Sequence, residues 1–342
     1  MPPSATPREA GFAMPAEWCR HARCWMAWPV RESLWGDRLT AAYEAFADVA
    51  QSIAEFEPVT MVAAPKAVAD VSVYCGHGVG CMPMAHDDSW MRDIGPTFLT
   101  DASGHLAGVD WAFNGWGGRY SPYDQDARLA GDLLDRLGIM RFASDLALEG
   151  GAFHTDGAGT LLVTEAVLGD PARIGSRERA EVERILREML GVTTVIWLGE
   201  GLVGDDTGGH VDNIACFVRP GVVMALSSRD RRDANYKTLQ DNLARLRAAR
   251  DANGRELEVI EVYQPSARKG AKGQRLPLSY INFYPANGAV ILPGFLDAMD
   301  EPAYYAVQRA FPERTVLTVP ALDIVEGGGG IHCITQQQPA AA

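Results

Sequence analysis

Short β-rich runs alternate with amphipathic helical stretches along the whole of this 342-residue chain, and no other feature constrains its fold as much. Apolar residues recur at helical spacing over 39–56, 126–137, 177–190, 233–250 and 301–311. Between them, runs of strand character lie at 23–30, 58–63, 159–165, 193–198, 213–218, 222–226, 257–262, 289–292 and 314–319. Five helices, each with its own strands, predict an α/β fold of structurally repeated units of roughly 60–70 residues without repetition of the sequence itself. No low-complexity linker divides the chain, so residues 1–342 read as one α/β domain with 1–10 as a flexible N-terminal extension. The basic, Gly-containing stretch at 266–273 reads as an exposed loop.

Composition narrows the class. With 47% hydrophobic residues the chain can bury a large core, and disorder is excluded. Acidic residues outnumber basic ones by 44 to 31, a formal net charge of −13, which argues against a nucleic-acid partner and suits a cationic one. The first dozen residues carry no apolar signal core, and no run approaches the roughly 20 apolar residues of a membrane span, so the expectation is a cytoplasmic protein without a membrane partner. Six cysteines (Cys19, Cys24, Cys75, Cys81, Cys216 and Cys333) are too sparse for a disulfide scaffold. Cys75, His77 and Cys81 lack the second ligand pair of a structural zinc site, so neither metal nor organic cofactor is expected.

The chemistry concentrates in four short segments. Glycines 327–330 allow close approach of backbone to a ligand and run into Ile331-His332-Cys333, which sets a thiol at the end of a pliable loop. Gly208-Gly209-His210-Val211-Asp212-Asn213 places an imidazole and a carboxylate two residues apart; in an extended segment both project to one side while Val211 packs behind. Glu149 ends an apolar run before Gly150-Gly151, and a carboxylate buried there needs a cationic or hydrogen-bonding partner. Asp93 follows Trp90-Met91-Arg92 just ahead of a turn, where an Arg92–Asp93 surface pair is the bland alternative. Thiol plus imidazole suffices for nucleophilic catalysis, but three carboxylates around them imply a cationic electrophile. Guanidinium fits best, being planar, permanently charged and able to donate to carboxylates two at a time. Trp90 or Trp116 could wall such a site and exclude water.

Those four segments, together with Phe113-Asn114-Gly115-Trp116-Gly117-Gly118 and Met14-Pro15-Ala16-Glu17-Trp18, resemble the agmatine deiminases of the guanidine-modifying superfamily, over about residues 11–339. The resemblance implies a five-bladed, pseudo-symmetric α/β propeller of ββαβ units with a central active site. It implies Cys333 as the nucleophile that forms an amidino-cysteine intermediate, His210 as general acid/base and Asp93 and Asp212 as guanidinium clamps. Glu149 would hydrogen-bond both the guanidinium and His210, Trp90 and Trp116 would bind substrate, and Asp206 would hold the distal ammonium of agmatine. A homodimer is also implied. One departure is Gly330, where the family more often has Asn. A deiminase of free or peptidyl arginine stays open, since Arg92 and Arg119 could meet a carboxylate, although the acidic segments around Glu149 and Asp206 favour a decarboxylated substrate. A non-catalytic polyamine or guanidine binder is the reading from a different class.

Overall fold

The computed structural model describes residues 5–341. Its strands are β1 (His21–Ala27), β2 (Val59–Ala63), β3 (Val79–Pro83), β4 (Thr97–Thr100), β5 (Leu106–Ala112), β6 (Met140–Ala147), β7 (Phe153–Thr155), β8 (Thr160–Thr164), β9 (Thr194–Leu198), β10 (Ala215–Arg219), β11 (Val222–Ser227), β12 (Glu258–Tyr263), β13 (Tyr284–Ala286), β14 (Ala289–Gly294), β15 (Thr315–Pro320) and β16 (Thr335–Pro339). They form five small sheets, ordered β4-β5-β6, β7-β8-β9, β10-β11-β12, β13-β14-β15 and β16-β1-β2-β3.

Each sheet repeats one pattern. An antiparallel pair (β4–β5, β7–β8, β10–β11, β13–β14, β16–β1) is followed by a helix and then by a strand parallel to the second. The parallel partners are β6, β9, β12, β15 and β2, reached through helices Asp126–Leu137, Arg179–Leu190, Tyr236–Ala248, Asp300–Ala310 and Leu39–Ala54. A parallel neighbour needs a crossover of this length, which is why each helix falls where it does. The result is the α/β architecture of five ββαβ units that the resemblance implies. The fifth unit is assembled from both ends of the chain: β16 pairs with β1 from His21↔Pro339 to Met26↔Thr335, closing the ring.

The amphipathic helices are ended by the residues their sequences supply. Gly138 (φ 66°, ψ 27°) caps the helix Asp126–Leu137 with a left-handed turn, its N–H donating to Leu134 O and Asp135 O. Leu129, Leu133 and Leu134 of that helix are buried, each contributing roughly 1.5–3 kcal/mol relative to exposure. The second strands β8, β11 and β14 are buried throughout.

Several strands have no counterpart among the expected runs: β3, most of β4, β5–β7, β13 and β16. The first strands of the hairpins are only three to five residues long, too short for a period to register. β16 is also polar, Thr-Gln-Gln-Gln-Pro, yet almost wholly buried. Gln338 Oε1 accepts from Trp25 Nε1 at 2.9 Å and Gln336 Nε2 donates to Pro96 O at 2.9 Å, partners more than 200 residues away. Near the start of the described chain, Arg8 N–H donates to Glu188 O at 3.0 Å and Ala10 N–H to Thr6 O at 3.0 Å; residues 1–4 of the expected extension lie outside the described residues. No helix among the described residues is long and apolar enough to cross a membrane.

Candidate active site

The residues singled out for chemistry all lie two to five positions ahead of the first strand of a unit. Asp93 sits in the short helix Met91–Ile94 before β4, and Glu149 precedes the 3-10 turn Gly150–Ala152 that leads into β7. His210 and Asp212 precede β10, and Cys333 precedes β16. The fifth unit in this series contributes Asn282, two residues before β13. Five equivalent segments meeting at one place is the consequence of a pseudo-fivefold arrangement of blades.

Asp93, Glu149, His210, Asp212 and Cys333 are each 6% exposed or less, so every charge among them requires a partner. His210 Nε2 lies 3.3 Å from Glu149 Oε2, and His210 Nδ1 lies 3.8 Å from Asp93 Oδ1. The buried partner demanded by Glu149 is Arg173, whose Nε donates to both carboxylate oxygens at 3.0 Å and whose Nη2 donates to Thr207 O at 2.6 Å. Cys333 Sγ donates to Asp212 Oδ2 at 3.4 Å. Trp116 Nε1 donates to Asp93 Oδ2 at 2.9 Å and Gly151 N to Asp93 Oδ1 at 3.0 Å. Gly151 is the point around which they pack: a Cβ there would sit 2.6 Å from His210 Nδ1, 2.9 Å from Asp212 Oδ2 and 3.0 Å from Asp93 Oδ1. Among the described residues, His210 Nδ1 and Asp212 Oδ1 are buried polar atoms without a hydrogen-bond partner.

Burial alone pushes all the carboxyls up and the imidazoles down, and the neighbours decide the outcome. Asp93 is raised to about 6, by burial first and by Asp212 and Glu149, with His210 and the Trp116 hydrogen bond opposing. Glu149 ends below its ordinary value because His210 and Arg173 outweigh burial. Asp212 also ends low, burial being overcome by His332, His210 and the Cys333 hydrogen bond. His210 is raised to about 9, since Asp93, Glu149 and Asp212 outweigh its burial. The Cys333 thiol is pushed well up by burial and by the Asp212 and Asp93 charges.

The site opens into a small cleft lined by Trp90, Asp93, Trp116, Tyr120, Asp206, Thr207, residues 327–329 and Cys333. Trp116 is held at φ 56°, ψ 49°, a left-handed conformation uncommon for a bulky residue, with its indole aimed at Asp93. At the exposed rim, Tyr120 Oη donates to Asp206 Oδ2 at 2.9 Å and Arg119 Nη1 donates to Asp206 O at 2.5 Å. Of the residues expected to bind substrate, Trp90, Asp93, Trp116 and Asp206 line this cleft; Glu149 and Asp212 stand behind its wall.

Two expectations are corrected. The segment around His210 is not extended: Val211–Asn213 is a 3-10 turn, and the turn rather than a strand brings His210 and Asp212 together. Arg92 does not form a surface pair with Asp93; it is buried, and its Nη1 donates to Glu17 Oε1 at 3.2 Å. Arg173, His332, Glu17 and Asn282 were not foreseen in the site. Asn282 Nδ2 donates to Cys333 Sγ at 3.3 Å, and its Oδ1 accepts from His332 N at 2.9 Å. Its sequence signal was its position just ahead of a short apolar run, the offset shared by Cys333, but β13 was too short to be recognised. Asn282 also bears on the departure at Gly330, because a Cβ there would run into its side-chain oxygen. Among the described residues no cluster of three or more His, Cys, Asp or Glu side chains is placed to hold a metal ion.

Comparison with known proteins places these features in context. The model of the Porphyromonas-type peptidyl-arginine deiminases matches residues 13–339. The agmatine deiminase of Stutzerimonas stutzeri is 42% identical over 360 residues, covering 98% of both chains. That of Pseudomonas aeruginosa strain LESB58 is 42% identical over 361 residues, covering 99% of this chain and 98% of its own. The solved structure of the agmatine deiminase of Enterococcus faecalis, described as catalysing its reaction, matches with a TM-score of 0.95 and 35% identity over 98% of both chains.

Proposed function

The chain belongs to the Porphyromonas-type peptidyl-arginine deiminase family, and on that premise we propose that it hydrolyses agmatine to N-carbamoylputrescine and ammonia through a covalent amidino-cysteine intermediate. The observation that supports the site assignment is the convergence of one thiol, one imidazole and three carboxylates from four units, with Cys333 and Asp93 reaching the cleft and His210, Asp212 and Glu149 packed directly behind them.

As the cation binds, the Cys333 thiol gives its proton to solvent, and the thiolate Sγ adds to the guanidinium carbon, forming the C–S bond of a neutral tetrahedral adduct. His210, an imidazolium below about 9, transfers its proton to the departing nitrogen, and the C–N bond breaks to release ammonia. The neutral His210 then takes a proton from water as its oxygen attacks the planar thiouronium carbon. Collapse breaks the C–S bond and returns the Cys333 thiolate, and the hydroxyl proton of the adduct passes to the released ammonia, leaving the neutral ureido product. Asp93 and Asp212 hold the guanidinium nitrogens, Glu149 orients His210, and Trp90 and Trp116 flank the plane of the cation.

Charge balance supports a cationic substrate. Glu17, Asp93, Glu149 and Asp212 stand against Arg92, Arg173, His210 and His332, with Asp205 adding a further carboxyl group beside His210 and Asp212 and the thiol neutral. A guanidinium adds one positive charge and a thiolate one negative charge, so each favours the other and the high thiol value is offset only when substrate is bound. Arg92 is committed to Glu17, which removes one of the two cations able to receive the α-carboxylate of arginine, and Asp206 at the rim suits the distal ammonium of agmatine.

The test is ammonia release from agmatine, free arginine and a blocked arginyl peptide in parallel, with mass spectrometry of the products. Ammonia and N-carbamoylputrescine from agmatine alone, lost in Cys333→Ala, is the expected result. Turnover of arginine in preference to agmatine, or substantial activity in Cys333→Ala, refutes it. A single-domain, cytosolic homodimer belongs to the same proposal; analytical ultracentrifugation checks its stoichiometry.

A further inference from the structure

Beneath Asp212, on the side away from the cleft, lies a buried row of charged groups that the reaction as proposed does not use. His332 Nδ1 is 2.9 Å from Asp212 Oδ2, and His332 Nε2 is 3.0 Å from both oxygens of Glu17. Glu17 is in turn held by Arg92 Nη1 at 3.2 Å and lies 3.5 Å from His154 Nε2. His332, Glu17, Asp212 and Arg92 are 3% exposed or less. Asp212 Oδ2 is shared between His332 and the Cys333 thiol.

Hydrogen-bond roles follow from geometry. Both ring nitrogens of His332 face carboxylates, so both must donate and the ring is an imidazolium. His154 differs: its Nδ1 accepts from Phe217 N at 3.2 Å, leaving its proton on Nε2 toward Glu17. Glu17 belongs to the Met14–Trp18 motif, whose role is otherwise unassigned, and the chain fixes it firmly. Ala13 bridges Thr100, Met14 N–H donates to Leu190 O at 2.9 Å, and His21 Nε2 lies 2.7 Å from Glu17 O.

We propose that Glu17 and His332 are a buried positioning pair for the reaction: Glu17 keeps His332 doubly protonated, and His332 keeps the Asp212 carboxylate charged and fixed beside Cys333. The pair rests on the deiminase reading for its kinetic effect, but its protonation state does not. Asp212 answers to the groups around it on every side: His332 and Cys333 by hydrogen bond, and His210, Asp93 and Asp205 by charge, while the nearby Cys216 thiol stays neutral. His332 answers to Arg92, Glu17 and Asp212, and Glu17 to His332, Arg92 and His154. Burial would push Glu17 and Asp212 up and His332 down; the row reverses all three directions.

Glu17→Gln is nearly isosteric. The amide donates to His332 Nε2, which becomes the lone-pair nitrogen, while Nδ1–H still donates to Asp212. With the amide nitrogen at the Oε2 position the oxygen still accepts from Arg92, only the longer contact to His154 is given up, and the positive charge of His332 is lost. The Asp212 carboxyl then takes up a proton at higher pH, as for a carboxylate that loses a cation at contact distance. Ring-15N histidine spectra read the pair directly. The imidazolium resonance that disappears in His332→Gln should be present in the unmutated protein at pH 7.5 and become a neutral imidazole in Glu17→Gln. In agmatine turnover, kcat/KM of Glu17→Gln should fall roughly three- to tenfold further at pH 5 than at pH 8.5, relative to the unmutated enzyme. Glu17→Asp, which keeps the charge, should restore the shape of the profile. A neutral His332 in the unmutated protein, or a deficit equal at all pH values, overturns the proposal. Should Glu17→Gln fail to fold, the pH profile of His332→Gln decides on the same criterion. Absence of agmatine turnover in the unmutated protein refutes the deiminase reading and leaves the spectra to judge the pair.

Discussion

Gly151→Ala is the perturbation that tests the assembled site most sharply. Gly151 is not among the glycines with positive φ, so alanine suits its backbone and the consequence is crowding alone. The new Cβ would stand 2.6 Å from His210 Nδ1, 2.9 Å from Asp212 Oδ2 and 3.0 Å from Asp93 Oδ1, where ordinary contact begins at 3.4 Å. The shortfalls are therefore 0.8, 0.5 and 0.4 Å, and all three fall on groups that address the reacting carbon. None of the three can yield freely, because His210 is tied to Glu149, Asp212 to His332 and Asp93 to Trp116. Displacing catalytic groups by 0.5–1 Å costs on the order of 10²–10³ in rate, and overpacking of this kind costs about 1–3 kcal/mol in stability. Steady-state ammonia release should show the loss mainly in kcat, with circular dichroism unchanged at 25 °C and Tm lower by several degrees. Gly78→Ala, where a Cβ meets nothing within 4 Å, is the control and should match the unmutated enzyme. If kcat/KM of Gly151→Ala stays within threefold of normal, Asp93, His210 and Asp212 do not act together at that point.

Asp212→Asn should lower kcat/KM by about 10³-fold, through loss of a charge-assisted contact worth several kcal/mol, and a loss below tenfold would remove Asp212 from the clamp. The pH profile of kcat/KM should be bell-shaped, falling below about 6 as Asp93 takes up a proton and above about 9 as His210 loses its own; a flat profile between pH 5 and 10 would contradict both roles. Asn282→Ala should reduce kcat by roughly 10–100-fold, since it removes a hydrogen bond to the attacking sulfur, and kinetics with agmatine checks it. Asp126 is raised to about 8, chiefly by burial and also by Asp88 and Asp87, so the folded state binds its proton more tightly than the unfolded chain does. Stability is then lost as pH rises from about 4 to 8. Asp126→Asn should accordingly raise Tm at pH 8.5 and leave it nearly unchanged at pH 4, which calorimetry at the two pH values checks.

The long amphipathic elements were legible because their information is local. Helix Asp126–Leu137 falls on the bounds its period predicts, and the other four expected helices are recovered within a few residues at their ends. A helix of twelve residues repeats its apolar pattern three times, which is enough to identify it without its neighbours. β7 and β13 have three residues each, and β16 is a polar strand whose burial depends on Trp25 and Pro96. Nothing within those segments announces a strand.

The same division runs through the site. Cys333, His210, Asp93, Glu149 and Asp212 stand out in the sequence because their chemistry is rare beside glycine and because the motifs match a family. The sequence by itself therefore determined the α/β alternation, the five-unit count and the groups able to attack and hold a guanidinium. Only the tertiary structure decided which common residues complete the set. Arg173 against Glu149, Asn282 against the thiol, and Glu17 with His332 beneath Asp212 are contacts across 24, 51, 315 and 120 positions. An arginine, an asparagine or a glutamate is unremarked in a sequence. It becomes part of a site when ring closure brings the start of each unit to a common centre, where burial makes every unpaired charge costly and so selects its partner.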